Sequence, residues 1–147
     1  MAVTCEVQDN MGLLTSELFP VLDIVVDEAC MAVVMLAQAQ AAVDTTAMRE
    51  SIHRVTPLAD EYASAVATAA AVNPKAEFFD KLEPEKRPGI VEGVAAVAVE
   101  YAGYLEYGTV HQGAQPFWTP AVELVDHGFA DAVTLAIESA AKAVAVR

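Results

Sequence analysis

The chain has 147 residues, a length typical of one domain, with 55% hydrophobic and only 20% charged residues. Its formal net charge is −13, from 21 acidic and 8 basic residues, which argues against binding to the phosphate backbone of a nucleic acid. The N-terminus lacks the basic start and apolar run of a secretory signal, and the most apolar stretch, residues 29–43, is shorter than the roughly 20 residues of a membrane span.

The two cysteines, Cys5 and Cys30, have neither CxxC spacing nor histidine companions, which predicts two free thiols in a reducing compartment. No internal repeat or low-complexity linker divides the chain, so residues 1–147 are expected to form a single soluble domain. Few charges are present to cover its surface, and we therefore expect part of the apolar surface to meet other subunits.

The first predicted element is a long helix over residues 13–43, where apolar residues run almost continuously beside a narrow polar strip. Ser16 is the expected N-cap, and Pro20 is tolerated only within the first turn. A helix of this length exceeds what so small a domain usually covers, so one face is expected to pack on a neighbour.

The middle of the chain predicts a helical turn and a strand. Asp44, Thr45 and Thr46 are candidate caps for a single turn, and residues 51–55 are extended until Pro57 ends the strand.

Between Tyr62 and Val72 the residues alternate with period two, which favours a strand, although the many alanines leave a helix as an alternative. Residues 73–89 carry three prolines and many charges, and predict an exposed excursion with one helical turn at Phe78 to Leu82. A second strand is predicted from Gly93 to Val99.

The last predicted element is a helix with Thr119 as its cap, Pro120 at its first position and Lys142 near its other end. It carries an apolar stripe at helical spacing: Val122, Val125, Phe129, Val133, Ala136, Ala140 and Val144. The predicted fold is α+β, with a long N-terminal helix, a small antiparallel β-sheet with an extended excursion, and the C-terminal helix packed on the sheet.

The sequence contains no constellation of residues typical of a catalytic or metal site. His53, His111 and His127 are scattered, outside any HExxH or Cys/His pattern, and are interpreted as surface or cap residues. GxSxG, Walker and GxGxxG motifs are absent. We expect no enzymatic activity, no cofactor and no metal, with a metal hydrolase using His53 or His111 as a remote alternative.

The most specific side chains lie between residues 101 and 123. Gly108 is placed to end a helical turn in a left-handed conformation. Phe117 and Trp118 precede the last helix, and aromatic residues in such places often anchor interfaces. Glu106, between aromatic residues, needs a partner if it is buried.

The segments YAGYLEYGT (101–109) and AQPFWTPAVE (114–123) resemble the signature of the tail-component family of long-tailed bacteriophages. Upstream, VDTTAMRESI (43–52) is similar to that family's Thr-Gly-x-Leu-Arg-x-Ser segment. The chain departs from the family pattern at Thr46, Met48 and Thr119, where the family usually has Gly, Leu and Arg.

The resemblance implies a structural virion protein that forms a homo-oligomeric ring, usually a hexamer, and joins the tail to the head in the neck. The implied partners are head-connector or stopper proteins and tail-terminator or tail-tube proteins, with DNA passing through the channel without specific binding. The alternatives are a tail-terminator ring that caps the tail tube and, from another class, a soluble acidic binding or regulatory module.

The resemblance also implies which residues hold the loop and helix that meet neighbouring subunits. They are Tyr101, Ala102, Tyr104, Glu106, Gly108, Thr109, Gln115, Pro116 and Phe117. We add Trp118 and Pro120, which adjoin these positions at the predicted start of the last helix.

We predict that the purified protein does not retard duplex DNA, even at low salt, where electrostatic binding is strongest. The reason is its net charge of −13, which repels the phosphate backbone. Electrophoretic mobility assays measure this directly, and a salt-sensitive complex at micromolar protein would contradict the expectation.

Overall fold

A computed structural model describes residues 1–8, 15–42 and 45–145, which form five helices and a three-stranded antiparallel sheet. The strands are β1 (Ala2–Gln8), β2 (Ile52–Val55) and β3 (Ile90–Val97). The helices are α1 (Thr15–Gln40), α2 (Thr46–Glu50), α3 (Tyr62–Val72), α4 (Ala102–Tyr107) and α5 (Trp118–Ala145). The predicted α+β class is confirmed.

The sheet has the order β1-β3-β2, so β3 is its central strand. Cys5 of β1 pairs with Gly93, and Ile52 of β2 pairs with Val97. We had not predicted β1, although its residues alternate in the way a strand requires, with Val3 and Cys5 turned toward the core. The other side chains of its first half are exposed.

The prediction of a long N-terminal helix is confirmed. Its fully buried positions recur at helical spacing and form the centre of the core: Leu22, Val26, Cys30, Val33 and Ala37. The helix begins at Thr15, so Ser16 lies inside it and is not the cap, and Pro20 lies beyond the first turn. The predicted helix ends at Leu13 and Val43, and the candidate cap Asp44, lie outside the described residues.

Helix α1 packs directly on the backbone of β3. A Cβ atom added to Gly93 would lie 2.7 Å from Val26 Cγ1 and 3.1 Å from Cys30 Sγ. Only glycine leaves room for this approach, because a methyl group at that point would overlap the helix side chains. The close contact brings the middle of α1 over the centre of the sheet.

The apolar stripe of the C-terminal helix is confirmed, with Ala136 and Ala140 fully buried, but the prediction that this helix covers the sheet is wrong. Helix α5 packs along α1, and its residues Val122, Val125 and Phe129 line a cavity of about 240 Å³ beside β1. The physical reason is width: with strands about 4.8 Å apart, three strands offer one face to a single helix about 10 Å across. The side chain of Val144 lies outside the described residues.

Residues 62–72 form helix α3, so the predicted strand is wrong and the alternative that we left open is confirmed. Alanine favours helix more than any other residue, and a period-two pattern made of alanines carries little information about burial. The buried positions, Ala65 and Ala69, have helical spacing.

The single turn at α2 and the strand β2 are confirmed, and β2 ends before Pro57 as predicted. The second predicted strand is also found, two to three residues earlier than expected. The helical turn predicted at Phe78 to Leu82 is wrong. Phe78 forms an isolated bridge with Val99, and Phe79 N–H donates to Ala98 O, so this backbone is extended beside the end of β3.

Residues 73–89 lie largely on the surface, as predicted, and ion pairs attach them to the sheet. The Arg87 guanidinium donates to Glu6 at 2.8 Å and to Glu92 at 3.0 Å. Glu6 and Glu92 are paired in register on β1 and β3, so Arg87 offsets the repulsion between them. Within the described ranges, none of the helices combines the length and apolar character needed to cross a bilayer.

Candidate functional site

The carboxylate of Glu106 is the centre of the segment that the sequence singled out. Its side chain is only 3% exposed, and it accepts hydrogen bonds from the N–H groups of Phe117 at 2.8 Å, Trp118 at 2.9 Å and Thr119 at 2.9 Å. These N–H groups belong to the start of α5, where a helix has no partners of its own for its first donors. Glu106 therefore caps α5, and the prediction of Thr119 as the cap is wrong.

The environment of Glu106 keeps it ionised. Burial disfavours the charged form, but hydrogen bonds from the Thr119 hydroxyl and from the three backbone N–H groups outweigh burial and hold the pKa of Glu106 below its usual value. The positive end of the α5 dipole acts in the same direction. Among the described residues no ion pair to Glu106 is found, so its buried negative charge is stabilised by these hydrogen bonds and the helix dipole.

Gly108 ends α4 with a φ of 79° and a ψ of 175°, so the positive φ expected of glycine there is found, but the ψ is extended and not that of the left-handed helical conformation predicted. A Cβ atom there would lie 2.8 Å from Ala114 N and 2.9 Å from Gln112 O, so the loop backbone also packs against it. The loop closes on α4 through a hydrogen bond from Gln115 N–H to Leu105 O at 2.8 Å. The loop between α4 and α5 is thus held by the hydrogen bonds to the Glu106 carboxylate and by the backbone bond between Gln115 and Leu105.

The upstream family-like segment lies beside the residues that lead from β3 into segment 101–109. Ala98 N–H donates to Ser51 O at 3.1 Å. Val99 N–H also donates to Ser51 Oγ at 3.3 Å. Residues 48 positions apart, about a third of the chain, therefore meet beside the end of α2.

The predicted site residues differ in exposure and include buried, partly buried and exposed side chains. Ala102, Glu106, Phe117 and Trp118 are buried, and Tyr101, Gly108 and Pro120 are partly buried. Tyr104, Thr109, Gln115 and Pro116 are exposed.

Phe117 and Trp118 belong to the core of the subunit, with 1% and 6% of their surfaces exposed. Our interpretation of these two side chains as interface anchors is therefore corrected, because a partner cannot reach them. They anchor the start of α5 from inside, and truncating Trp118 would measure core packing and not assembly.

The exposed part of the segment is a small apolar patch that we call the tyrosine patch, made of Tyr104, Tyr107 and Val110. These residues are 66%, 74% and 98% exposed. Tyr104 and Tyr107 lie three positions apart on α4 and so share one face of the helix. Sequence analysis missed Tyr107 and Val110, although three large apolar residues around a helix end were a signal.

The histidines do not form a site in the described part of the chain. His53 is buried, not a surface or cap residue as interpreted, and its Nδ1 lies 2.9 Å from Ser51 O. Burial lowers the pKa of His53, which favours the neutral ring. His111 and His127 are exposed, and the described residues include no cluster of three side chains able to hold a metal ion.

Comparisons with known proteins assign no family: no family model, curated protein sequence or solved structure matches the chain. The motif residues and their arrangement in the fold are therefore the basis for proposing a function.

We predict that Glu106→Gln destabilises the protein at pH 7 by about 1–3 kcal/mol. The neutral amide oxygen is a weaker acceptor for the N–H groups of α5, and the amide NH2 group is itself a donor that cannot bond to them. The pKa of Glu106 is depressed in the folded protein. Its ionised carboxylate therefore contributes to stability at pH values above the usual pKa of 4.5, and this stabilisation is lost as the pH falls through the pKa of the folded state. Urea unfolding of both proteins across this range measures the difference.

The matched control is Glu138→Gln, which removes the same charge from an exposed position of α5. We expect it to change stability by less than about 0.5 kcal/mol at any of these pH values. A difference between wild type and Glu106→Gln that persists unchanged in acid would show that the charge of Glu106 is not the cause.

We also predict that Gly108→Ala costs about 1–3 kcal/mol of stability, because alanine at positive φ is strained and its Cβ would meet the loop backbone. Gly113→Ala in the same loop is the control, since a Cβ there meets nothing within 4 Å. Thermal and urea unfolding give both values, and equal losses would contradict the role assigned to Gly108.

Proposed function

We propose that this protein is a structural subunit of a bacteriophage virion that assembles into a ring in the neck and joins the tail to the head. The observation that carries the proposal is that hydrogen bonds join the family-like segments 101–109 and 114–123: Phe117 N–H donates to Glu106, and Gln115 N–H donates to Leu105 O. Ser51 of the upstream segment accepts a hydrogen bond from Val99 N–H, two residues before segment 101–109.

The tyrosine patch supports an assembly role. Val110 is 98% exposed at the tip of the loop, and Tyr104 and Tyr107 are exposed on the short helix that precedes this loop. Burying apolar surface is worth about 25 cal/mol per Å², so a partner that covers the patch gains free energy from it. Because Glu106 and Gly108 hold the loop, little ordering of the chain opposes this gain.

The two long helices also expose apolar side chains on their outer surfaces. Met31 and Met35 of α1 are 40% and 61% exposed, and Leu124 and Leu135 of α5 are 60% and 66% exposed. Apolar surface at several separate places suits a subunit with more than one neighbour. In a ring, each subunit offers one surface to the subunit before it and a different surface to the subunit after it.

The acidity of the chain suits a channel for DNA. Its net charge of −13 repels phosphates, so DNA could slide past such subunits without binding to them. The proposal requires no catalytic residue, cofactor or metal from the protein.

We predict that the full-length protein forms closed rings and that Tyr107→Ser combined with Val110→Ser weakens their assembly by about tenfold or more, because the pair contributes exposed apolar contacts. Light scattering coupled to size-exclusion chromatography measures the oligomer, and electron microscopy shows its symmetry. Joined particles are counted after complementation of a phage that lacks this protein.

The control is Leu58→Ser, which removes a side chain that is 57% exposed in the turn after β2 and away from the patch. Circular dichroism establishes that each variant is folded. A double variant that joins heads to tails as well as wild type would remove the patch from the proposal. Full particle yield without any copy of the protein would refute the neck function itself.

A further inference from the structure

The two cysteines that the sequence separates lie side by side in the fold. Cys5 of β1 pairs in register with Gly93 of β3, and Cys30 Sγ lies 3.1 Å from the point where a Cβ of Gly93 would be. Both cysteines therefore lie over the same glycine, and each thiol affects the pKa of the other. Both cysteines are free thiols in the structure.

We propose that Cys5 and Cys30 are a redox pair that forms a reversible intrachain disulfide when the protein meets a peroxide. Because both side chains lie over Gly93, rotation of the cysteine side chains can bring the sulfurs to the S–S bond length of about 2.0 Å. The absence of a side chain at Gly93 is what lets Cys30 Sγ come this close to the sheet, on the face where Cys5 lies.

The two thiols have different roles because their exposure differs. Cys5 is half-buried and lines the cavity of about 240 Å³ between β1 and α5, whereas Cys30 is fully buried behind it. The hydrogen bond from Cys30 lowers the pKa of Cys5, although burial and nearby Asp126 oppose this effect. The same hydrogen bond, together with burial, raises the pKa of Cys30. Cys5 is thus the thiol that an oxidant reaches and the better nucleophile.

The reaction consumes one peroxide for each disulfide. The Cys5 thiolate attacks one peroxide oxygen, the O–O bond breaks, and the departing hydroxide takes up a proton to become water, which leaves a sulfenic acid on Cys5. Cys30 sulfur then attacks Cys5 sulfur, the S–O bond breaks, and the second hydroxide leaves as water with the Cys30 proton. Two thiols lose two electrons and two protons, and hydrogen peroxide becomes two waters.

The bond would fasten the edge strand β1 to α1 and close the chain between residues 5 and 30. Closing a loop of this size restricts the unfolded chain and so raises stability. In a virion, which leaves the reducing cytoplasm, such a bond would fix β1 after assembly. That last consequence rests on the proposed function, whereas the disulfide itself does not.

The test treats the purified full-length protein with hydrogen peroxide, unfolds it, alkylates the remaining thiols and maps the cysteine peptides by mass spectrometry. We expect a Cys5–Cys30 crosslinked peptide lighter by two hydrogens, no alkylation of either cysteine, and a rise in Tm of about 5–10 °C. Dithiothreitol should reverse all three changes.

Two variants separate the roles of the thiols. In Cys30→Ala, which keeps a small apolar residue in the core, Cys5 should stop at the sulfenic acid or oxidise further. In Cys5→Ala, Cys30 should stay reduced, because the peroxide no longer has a thiol within reach.

Three outcomes would overturn the proposal: oxygen added to Cys5 in the wild type while Cys30 remains open to alkylation, covalent dimers as the main product, or no oxidation at peroxide concentrations that oxidise the unfolded chain. None of these measurements depends on ring assembly or particle counts. A failed disulfide and a failed neck function are therefore distinguishable.

Discussion

The hydrogen bonds between one buried carboxylate and the first turn of the last helix organise this end of the molecule. A helix of 28 residues begins at Trp118, and its leading N–H groups are in the protein interior, where water cannot satisfy them. Glu106 accepts three of those hydrogen bonds from a neighbouring short helix. Without that acceptor, burial of Phe117 and Trp118 would leave their backbone donors unpaired, at a cost of about 1–3 kcal/mol for each group.

The same interaction decides which side chains a partner can reach. Because α4 is held against the start of α5, Phe117 and Trp118 point into the core, and Tyr104, Tyr107 and Val110 stay outside. The loop between the helices gains its shape from the positive φ of Gly108 and from its own backbone hydrogen bonds. A patch presented on a fixed loop is suited to repeated contacts between identical subunits, which is the basis of the assembly that we propose.

Helix α1 plays the corresponding part in the core, since it packs on the sheet with one side and on α5 with another. This arrangement accounts within a single subunit for much of the apolar composition that had suggested neighbouring chains. It also depends on close approach: Gly93 lets Val26 and Cys30 sit directly on the central strand. The proximity of Cys30 to Cys5 is a consequence of that packing.

Elements whose signals are local could be predicted from the amino-acid sequence. The long helix and the last helix follow from apolar residues at helical spacing, and the φ of Gly108 follows from the freedom of glycine at a helix end. The sequence also singled out Glu106 as a residue in need of a partner. The partner of Glu106, the helix on which α5 packs and the closeness of Cys5 to Cys30 depend on the folded arrangement of distant segments. Alternating alanines left α3 undecided for a related reason. A local pattern indicates whether a segment prefers helix or strand and which of its faces is buried. The partner on which that face packs depends on residues far away in the sequence, because several segments can cover the same part of the core.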